Sequence, residues 1–407
     1  MVALTSAFAL LTGCASGTAA APRPALSVVL ADDWETAPTV RQVVRDFERD
    51  HEVRVQVQAA PFSQIPDLVR NASDLGDPFD LAHWHAFAAA ADGLAEPLDE
   101  RWRVAGLRAA DYLPGAVDDV TWEGVRYGVP LDVNALVLLA SADALRSSGL
   151  APGDLADAER FLEVARTLRD ADGVEHAITV SASSWTAYGW IRAFGGDVLV
   201  RDPAGGVSFT FDDPRTIAAV ELLGALATEG IGTPPFAPDL SLDAIQSLTT
   251  GSVALHATGS WDLPVTRRAR DSTVGDDLLV LPLPRGEGDT GTVLGGSSLF
   301  VPRDAEQPDL AFAFALALTD ATVARTLAEE EGRLPARVEV YDDPLFRDQP
   351  DLAAFVAQLP DADVMPLIAY PELAAAFSAT LERVLKGQQD AAGALAELQE
   401  LAERTTR

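Results

Sequence analysis

Short apolar segments alternate with amphipathic segments in the first part of the chain, and this rhythm constrains the fold most. Residues 25–31 are continuously apolar, which is typical of a parallel strand buried on both faces. Residues 53–57 alternate valine with polar residues and predict a second strand, and residues 79–84 predict a third. Helices are predicted between these strands, at residues 39–50 and 63–73. The order strand, helix, strand, helix, strand predicts an open α/β sheet.

Candidate ligand-binding residues follow the first and third of these strands. Asp32 and Asp33 come directly after the first strand, and Trp84 and His85 come at the end of the third. In open α/β sheets ligands bind beyond the carboxyl ends of the strands, so we expect these four side chains at one edge. Two alternatives stay open: Asp32 and Asp33 could cap the following helix, and Trp84 could pack in the core.

A long extended stretch over residues 126–139 predicts a strand that crosses into a second lobe. It carries Asp132 and Asn134; Asp132 could bind a ligand or serve only as a hydrogen-bonding residue of the hinge. Later, Gly296 and Ser297 lie in a Gly-Gly-Ser-Ser segment that predicts a glycine-rich return, with close backbone approach, in front of a strand. The length of 407 residues and the hydrophobic content of 48% fit two domains with substantial cores.

A tryptophan stands beside small residues at the end of a further apolar run. Residues 253–255 predict a buried strand, Gly259 and Ser260 end it, and Trp261 follows. A flat apolar ring at a strand end suits stacking against a ligand in a cleft. A core tryptophan that closes a loop is the alternative.

The balance of charges excludes several functional classes. The chain has 62 acidic and 30 basic residues and a formal net charge of −32, which repels nucleic acid and anionic lipid headgroups. His83 and His85, two apart on a predicted strand, would point to opposite faces, and the other three histidines are scattered, so no metal is expected. Neither a phosphate-binding loop nor a Gly-x-Ser-x-Gly nucleophile motif occurs, and no cofactor is predicted.

An apolar run at residues 2–11 precedes the sole cysteine, Cys14. Leu11-Thr12-Gly13-Cys14 resembles a bacterial lipobox, whose thiol receives a diacylglycerol, and an Ala/Ser/Gly/Thr/Pro-rich tether follows. The run is shorter than the roughly 20 apolar residues that span a bilayer. We therefore expect residues 1–24 to be a lipoprotein signal and tether. No Lys or Arg precedes the run, and an apolar strand with an incidental cysteine is the alternative.

After the lipobox, five motifs follow in order: Tyr127-Gly128-Val129-Pro130, Gly195-Gly196, Gly259-Ser260-Trp261, Gly295-Gly296-Ser297-Ser298, and the segment 332–337 with Tyr341-Asp342-Asp343-Pro344. This ordered set resembles the extracellular solute-binding proteins of bacterial carbohydrate ABC transporters, of the maltodextrin-binding type, over nearly the whole mature chain. The resemblance implies a two-lobed periplasmic-binding-protein-like α/β fold (type II), with an open sheet in each lobe and crossing hinge strands between them. It implies an N-terminal lobe of residues 25–130 plus 293–345 and a C-terminal lobe of residues 131–292 plus 346–407.

The resemblance also implies a sugar site between the lobes. Trp261, Trp185 and Trp84 match aromatic positions that stack on sugars, and Asp132 matches an acidic residue that bonds hydroxyls. Sugar rings have apolar C–H faces and a rim of hydroxyls, which aromatic, carboxylate, amide and guanidinium groups bind. The candidate ligand-binding residues are therefore Trp261, Trp185, Trp84, Asp132, Asn134, Asp32, Asp33, His85, Gly296, Ser297 and Arg333. Core packing is the alternative for each tryptophan, and an ordinary surface charge is the alternative for Arg333.

The function expected from these features is a lipid-anchored component of an ABC importer that captures a di- or oligosaccharide. The expected partners are the carbohydrate, the permease subunits of the importer and, through the anchor only, the membrane. We expect a monomer on the outer face of the cell membrane that is not an enzyme. Leu138-Leu139-Ala140 stands where the family often has Tyr-Tyr-Asn, which leaves the number of sugar subsites open. The alternatives are a polyol or another non-sugar solute on the same fold, a secreted polysaccharide hydrolase, and a surface adhesin.

Overall fold

The structure is a computed structural model that describes residues 24–201, 206–235, 241–263, 266, 278–288 and 290–405. Cys14, its lipobox and residues 15–23 of the predicted tether lie outside the described residues.

The strands are β1 (Ala25–Ala31), β2 (Arg54–Ala60), β3 (Leu81–Trp84), β4 (Thr121–Trp122), β5 (Val125–Arg126), β6 (Gly128–Ala135), β7 (Val137–Ser141), β8 (His176–Ile178), β9 (Leu199–Arg201), β10 (Val207–Phe209), β11 (Val253–Thr258), β12 (Leu278–Pro282), β13 (Thr292–Phe300), β14 (Leu334–Pro335) and β15 (Ala362–Val364).

The α-helices are α1 (Asp32–Glu35), α2 (Pro38–His51), α3 (Ile65–Leu75), α4 (Ala86–Ala91), α5 (Asp99–Ala105), α6 (Pro114–Asp118), α7 (Ala142–Ser147), α8 (Phe161–Arg169), α9 (Ser184–Ala193), α10 (Pro214–Thr228), α11 (Ser241–Thr250), α12 (Pro308–Leu318), α13 (Ala321–Glu331), α14 (Leu345–Asp348), α15 (Pro350–Val356), α16 (Pro371–Leu385) and α17 (Ala391–Thr405).

The first sheet has the strand order β14-β6-β13-β3-β1-β2, and β15 pairs with the start of β13. Strands β1, β2 and β3 run parallel, as the alternation of strands and helices predicts, so their carboxyl ends share one edge. Strand β13 lies antiparallel between β3 and β6 and connects the two parts of this sheet. We call the body around this sheet the first lobe.

The second sheet has the order β12-β7-β11-β8 and forms the second lobe. The chain enters it from the first sheet at Leu136, where the predicted long strand is divided into β6 and β7. Alternate residues of β7 face two hydrophobic clusters: Val137 and Leu139 face one, and Leu138 and Ala140 face the other. A strand that is apolar on both faces is thus covered on both sides, as its continuous apolar sequence requires.

The crossing strands β6 and β13 differ from the sequence prediction at one place. The Gly-Gly-Ser-Ser segment was expected to form a return in front of a strand, but it lies inside the continuous strand β13. Gly296 has φ of 136°, and a Cβ there would lie 2.4 Å from the carbonyl oxygen of Asp132. Glycine is needed at this position because β6 passes too close for a side chain, so close approach occurs within the sheet.

Within the described residues, no single helix is long and apolar enough to cross a membrane; the pair α12 and α13 meets the length and composition test only together, and it is bent by 54°.

Candidate ligand-binding site

The register of β6 against β13 brings four of the predicted residues together. Asp132 lies opposite Ser297, Asn134 lies opposite Gly295, and Gly296 lies opposite Val133, with a register irregularity just after Ser297. Asp132, Asn134 and Ser297 are all buried. The pairing explains why residues distant in sequence form one polar surface on the crossing strands.

A chain of hydrogen bonds connects Asp132 to the first strand. The backbone N–H of Ala31 donates to Nδ1 of His83 over 3.2 Å, which leaves the proton of the neutral ring on Nε2. Nε2 then donates to Oγ of Ser297 over 2.6 Å, and this hydroxyl donates to Oδ1 of Asp132 over 2.6 Å. His83 is only 1% exposed, so the chain holds Ser297 and Asp132 in place from the interior of the first lobe.

Arg333 lies between two of the predicted carboxylates. Its Nη2 is 2.7 Å from Oδ2 of Asp33, and its Nη1 is 3.9 Å from Oδ2 of Asp132. The guanidinium carbon lies 4.2 Å from the centre of the Trp34 ring, a cation–π contact. Arg333 is buried, so the alternative of an ordinary surface charge is wrong, and its Nε has no partner among the described residues.

Three pKa values follow from this arrangement. Burial raises the pKa of Asp132 to about 6, although the Arg333 charge and the Ser297 hydroxyl act to lower it. Burial also acts to raise the pKa of Asp33, but the charge and hydrogen bond of Arg333 outweigh it and hold that pKa below its usual value. Burial lowers the pKa of His83 to about 3, so its ring is neutral at physiological pH. We call Asp33, His83, Asp132, Ser297 and Arg333 the polar half of the site.

His85 belongs to a neighbouring cluster. Its Nδ1 is 2.6 Å from Oδ1 of Asp119, whose other oxygen accepts a 2.7 Å hydrogen bond from Ser298. A small pocket opens between this cluster and the crossing strands; it is lined by His85, Asp119, Asp132, Gly295, Gly296 and Ser297 among others. Trp84 is half-buried, and its ring centre lies 5.8 Å from that of His85. Asp32 is exposed, and its carboxylate accepts a hydrogen bond from the N–H of Asp33.

Two tryptophans of the second lobe form the aromatic half of the site. The ring centres of Trp185 and Trp261 are 5.3 Å apart, and the rings are inclined by 57°. Trp261 is 36% exposed, and its ring lies over Gly259, where a Cβ would be 2.1 Å from a ring carbon. Trp185 lies against the crossing strand, since a Cβ at Gly295 would be 2.8 Å from its Cζ2.

The two halves meet beside the turn that follows β11. A Cβ at Gly332 would lie 3.2 Å from the carbonyl oxygen of Ser260 and 3.0 Å from the Cβ of Leu263. The loop that carries Arg333 therefore contacts the turn that carries Trp261. The site accordingly has buried carboxylate, amide and guanidinium groups on one side and a partly exposed pair of indoles on the other.

Two contributors to this site were not identified from the sequence, namely His83 and Asp119. His83 precedes Trp84 and His85 at the end of β3, and this strand-end position was the available signal. Asp119 follows the short helix α6 and accepts a hydrogen bond from Ser298, which is 179 positions away in the sequence. No local sequence pattern predicts this contact. Among the described residues, no group of three or more His, Cys, Asp or Glu side chains could hold a metal ion.

Comparisons with known proteins agree with this architecture. The sequence model of the family described as bacterial extracellular solute-binding protein matches residues 42–354. The lactose-binding protein of Rhizobium radiobacter is 28% identical over 201 residues, which are 49% of this chain and 46% of that protein. The GacH receptor of Streptomyces glaucescens GLA.O, solved unliganded and with acarbose, superimposes with a TM-score of 0.82 and 21% identity over 94% of this chain and 98% of its own.

UgpB of Mycobacterium tuberculosis, solved in complex with glycerophosphocholine, gives a TM-score of 0.81 and 20% identity over 95% of this chain and 100% of its own. These structural similarities confirm the predicted two-lobed α/β fold. Together with the family match over more than half of the residues, they show that the chain belongs to the bacterial extracellular solute-binding proteins.

Proposed function

We propose that this protein is the substrate-binding component of an ABC importer and captures a carbohydrate, a di- or oligosaccharide, between its lobes. The observation that carries the proposal is the partly exposed pair of Trp185 and Trp261 beside the polar half of the site. In this proposal residues 25–130 plus 293–345 form one lobe and residues 131–292 plus 346–407 the other, apart from the rest of β6 and strand β15, which pair with β13 in the first sheet. Closure about the crossing strands encloses the ligand.

The chemistry of the two halves suits a sugar. Indole rings can cover the apolar C–H faces of a pyranose, and the tilt between Trp185 and Trp261 offers two such surfaces. Asp132, Asn134 and Arg333 are the groups proposed for the hydroxyls, because charged partners make the stronger hydrogen bonds. Oδ1 of Asn134 and Nε of Arg333, one acceptor and one donor, have no partner among the described residues, which favours a ligand that offers both functions.

The charges of the site favour an uncharged solute over a phosphorylated one. Arg333 is already engaged by Asp33, and the further carboxylates of Asp119 and Asp132 lie nearby. A phosphate group would need a convergent cluster of cations, and these carboxylates would repel it. The glycerophosphocholine complex of UgpB makes a phosphodiester the useful comparison ligand, and we propose that this chain binds a neutral sugar in preference to it.

The proposal includes no catalysis. The relatives are named as binding proteins or receptors, and the carboxylates of the polar half are engaged in hydrogen bonds or an ion pair. A polysaccharide hydrolase remains the alternative; release of reducing ends that disappears in Asp132→Ala would establish it. We further propose that Cys14 carries a lipid anchor on the outer face of the membrane and that a monomer docks on the permease. Detergent partitioning of the wild type and of Cys14→Ser tests the anchor.

The decisive experiment is a thermal-shift screen against neutral mono-, di- and oligosaccharides with glycerophosphocholine as the charged comparison, because binding to the native state raises its stability. Calorimetric titration of the best sugar then compares the wild type with Trp261→Ala. Loss of the buried indole contact should weaken binding by about 1–3 kcal/mol, roughly 5- to 150-fold. Trp122→Ala, which removes a half-buried indole from the β4–β5 hairpin, is the control and should bind as the wild type does.

Two results would contradict the proposal. One is a stability increase with glycerophosphocholine and with none of the sugars. The other is an unchanged sugar affinity in Trp261→Ala.

A further inference from the structure

A buried polar network lies behind Trp261, on the side of the second lobe. Nδ1 of His256 is 2.6 Å from the hydroxyl of Thr179, and its Nε2 is 3.4 Å from Oδ2 of Asp262. The hydroxyl of Thr258 donates to the same carboxylate oxygen. All four side chains are less than 10% exposed, so the network is enclosed by protein on every side.

The network ends on the residue next to the proposed stacking ring. Asp262 belongs to the short helical turn Ser260–Asp262, and its N–H donates to the carbonyl of Gly259 over 3.3 Å. His256 and Thr258 belong to β11, which pairs with β7 in the middle of the second sheet. The carboxylate of Asp262 therefore connects the turn that carries Trp261 to an inner strand of the second sheet.

The positions of His256 and Thr258 among apolar residues indicate that their polar groups have a specific role. His256 and Thr258 lie directly opposite Leu139 and Val137 of β7, which are fully buried in a hydrophobic cluster, and apolar side chains would fill such positions at no cost in desolvation. A buried hydrogen-bonded network instead selects one geometry over the others that a strand end could adopt. Here the selected geometry is that of a turn whose indole must lie flat on Gly259 and beside Trp185.

We propose that Asp262 and His256 are positioning residues that hold the indole of Trp261 in its ligand-ready orientation against Gly259 and Trp185. Neither residue touches the ligand. An indole that is held in place in the free protein loses less conformational freedom on binding, and a freed one weakens binding by roughly two- to tenfold. This inference rests on the proposed function only for its effect on affinity, because the orientation of the ring can be measured without any ligand.

The ligand-independent measurement is the circular dichroism of the coupled indoles. Two indoles at 5.3 Å with inclined rings produce an exciton couplet, and Trp185 with Trp261 is the Trp–Trp contact among the described residues. The difference spectrum between the wild type and Trp261→Ala identifies this couplet. Asp262→Ala, which removes the acceptor, and His256→Leu should lose most of it, whereas His256→Gln, which keeps a donor towards Asp262, should retain it.

Asp80→Ala is the matched control. Asp80 is 3% exposed and accepts hydrogen bonds from the N–H groups of Ser27 and Gln307, at the opposite end of β3 from Trp84. It should keep the couplet although it also replaces a buried carboxylate. Thr258→Val removes one donor at almost constant volume and replaces Asp262→Ala if that variant does not fold; it should reduce the couplet in part.

The second measurement is a double-mutant cycle with lactose as the probe sugar. Asp262→Ala should lower the affinity roughly two- to tenfold in the presence of Trp261 and should have no further effect in the Trp261→Ala background. A couplet that persists in folded Asp262→Ala, or an equal loss of affinity in both backgrounds, would overturn the inference. If lactose does not bind the wild type but the couplet behaves as described, the positioning role stands and the cycle uses the sugar that the thermal-shift screen identifies. If no sugar binds, the proposed function is wrong and the positioning role still stands.

Discussion

The two halves of the candidate site are built in opposite ways. The polar half is buried and bonded within itself: Ser297 and Asp132 are held by His83, and Arg333 is held by Asp33 and Trp34. The aromatic half leaves Trp261 36% exposed, with its ring resting on a glycine. Most polar groups of the polar half already have hydrogen-bond or ion-pair partners in the free protein, whereas the aromatic half presents exposed apolar surface.

This difference predicts which substitutions should change the stability of the protein and which should change its affinity for the ligand. Changes in the polar half alter buried charges and close backbone contacts, so they should act strongly on the free energy of unfolding. Trp261 is 36% exposed and belongs to neither hydrophobic cluster, so its replacement should act more on ligand affinity than on the free energy of unfolding. The following predictions test this separation in order of expected effect.

Gly296→Ala should give the largest loss of stability. The new Cβ would lie 2.4 Å from the carbonyl oxygen and 2.8 Å from the Cα on the facing strand, and φ of 136° is strained for any side chain. We expect the free energy of unfolding to fall by about 3 kcal/mol or more, measured by denaturant unfolding.

Gly76→Ala is the matched control for that experiment. Gly76 also has a positive φ, 75°, but a Cβ there meets no atom within 4 Å. The loss should be about 1 kcal/mol, the cost of the backbone conformation alone. Equal losses in both variants would show that the close approach of β6 and β13 contributes nothing, and the polar half would then be less rigid than its contacts indicate.

Asp132→Asn should stabilise the free protein above pH 6. The pKa of Asp132 is raised from near 4 to about 6, so the folded state favours the protonated carboxyl and loses stability as pH rises through this range. A neutral amide avoids that loss, which is on the order of 3 kcal/mol at pH 7.5. The gain should shrink between pH 6 and pH 4, measured by thermal unfolding at several pH values.

Asp33→Asn should change the stability of the protein in the opposite direction to Asp132→Asn. Arg333 holds the pKa of Asp33 below its usual value, so the ionised form is the favoured one and the amide should destabilise the protein at neutral pH. Both variants should bind sugar more weakly if these carboxylates contact it.

A stability profile of Asp132→Asn that runs parallel to the wild type at every pH would contradict the raised pKa of Asp132.

The fold could be predicted from local pattern, and much of the site could not. The apolar run of β1 and the helical spacing of apolar residues in α2 are patterns within a few neighbouring residues. Such local patterns predict strands and helices, and the open α/β sheet was predicted correctly from them. The Gly-Gly-Ser-Ser segment predicts a close backbone approach, in a return in front of a strand. Its place inside β13 depends on the closeness of β6, which no local pattern encodes.

The sequence also does not show which of two neighbouring residues contributes to the site. Asp32 and Asp33 are equivalent by sequence, but the short helix α1 directs only Asp33 to Arg333, which is 300 positions away. His83 and Asp119 owe their roles to partners on β13 that are more than 170 positions distant. Residue type and position at a strand end predict which edge carries the site, while the pairing of side chains requires the register of the sheet.

Arg333→Lys should give the smallest of these effects and should test what the guanidinium adds beyond its charge. Lysine keeps the positive charge near Asp33 and Asp132 but loses the planar fork and the stacking over Trp34. We expect unfolding to become easier by about 1 kcal/mol, with the pKa of Asp132 nearly unchanged in a carboxyl-carbon NMR titration. Arg333→Met, which removes the charge, should instead raise that pKa above 6, because the Arg333 charge now acts to lower it. If lysine and methionine shift the pKa equally, charge is not what Arg333 contributes, and the polar half would be held mainly by the packing of its buried groups.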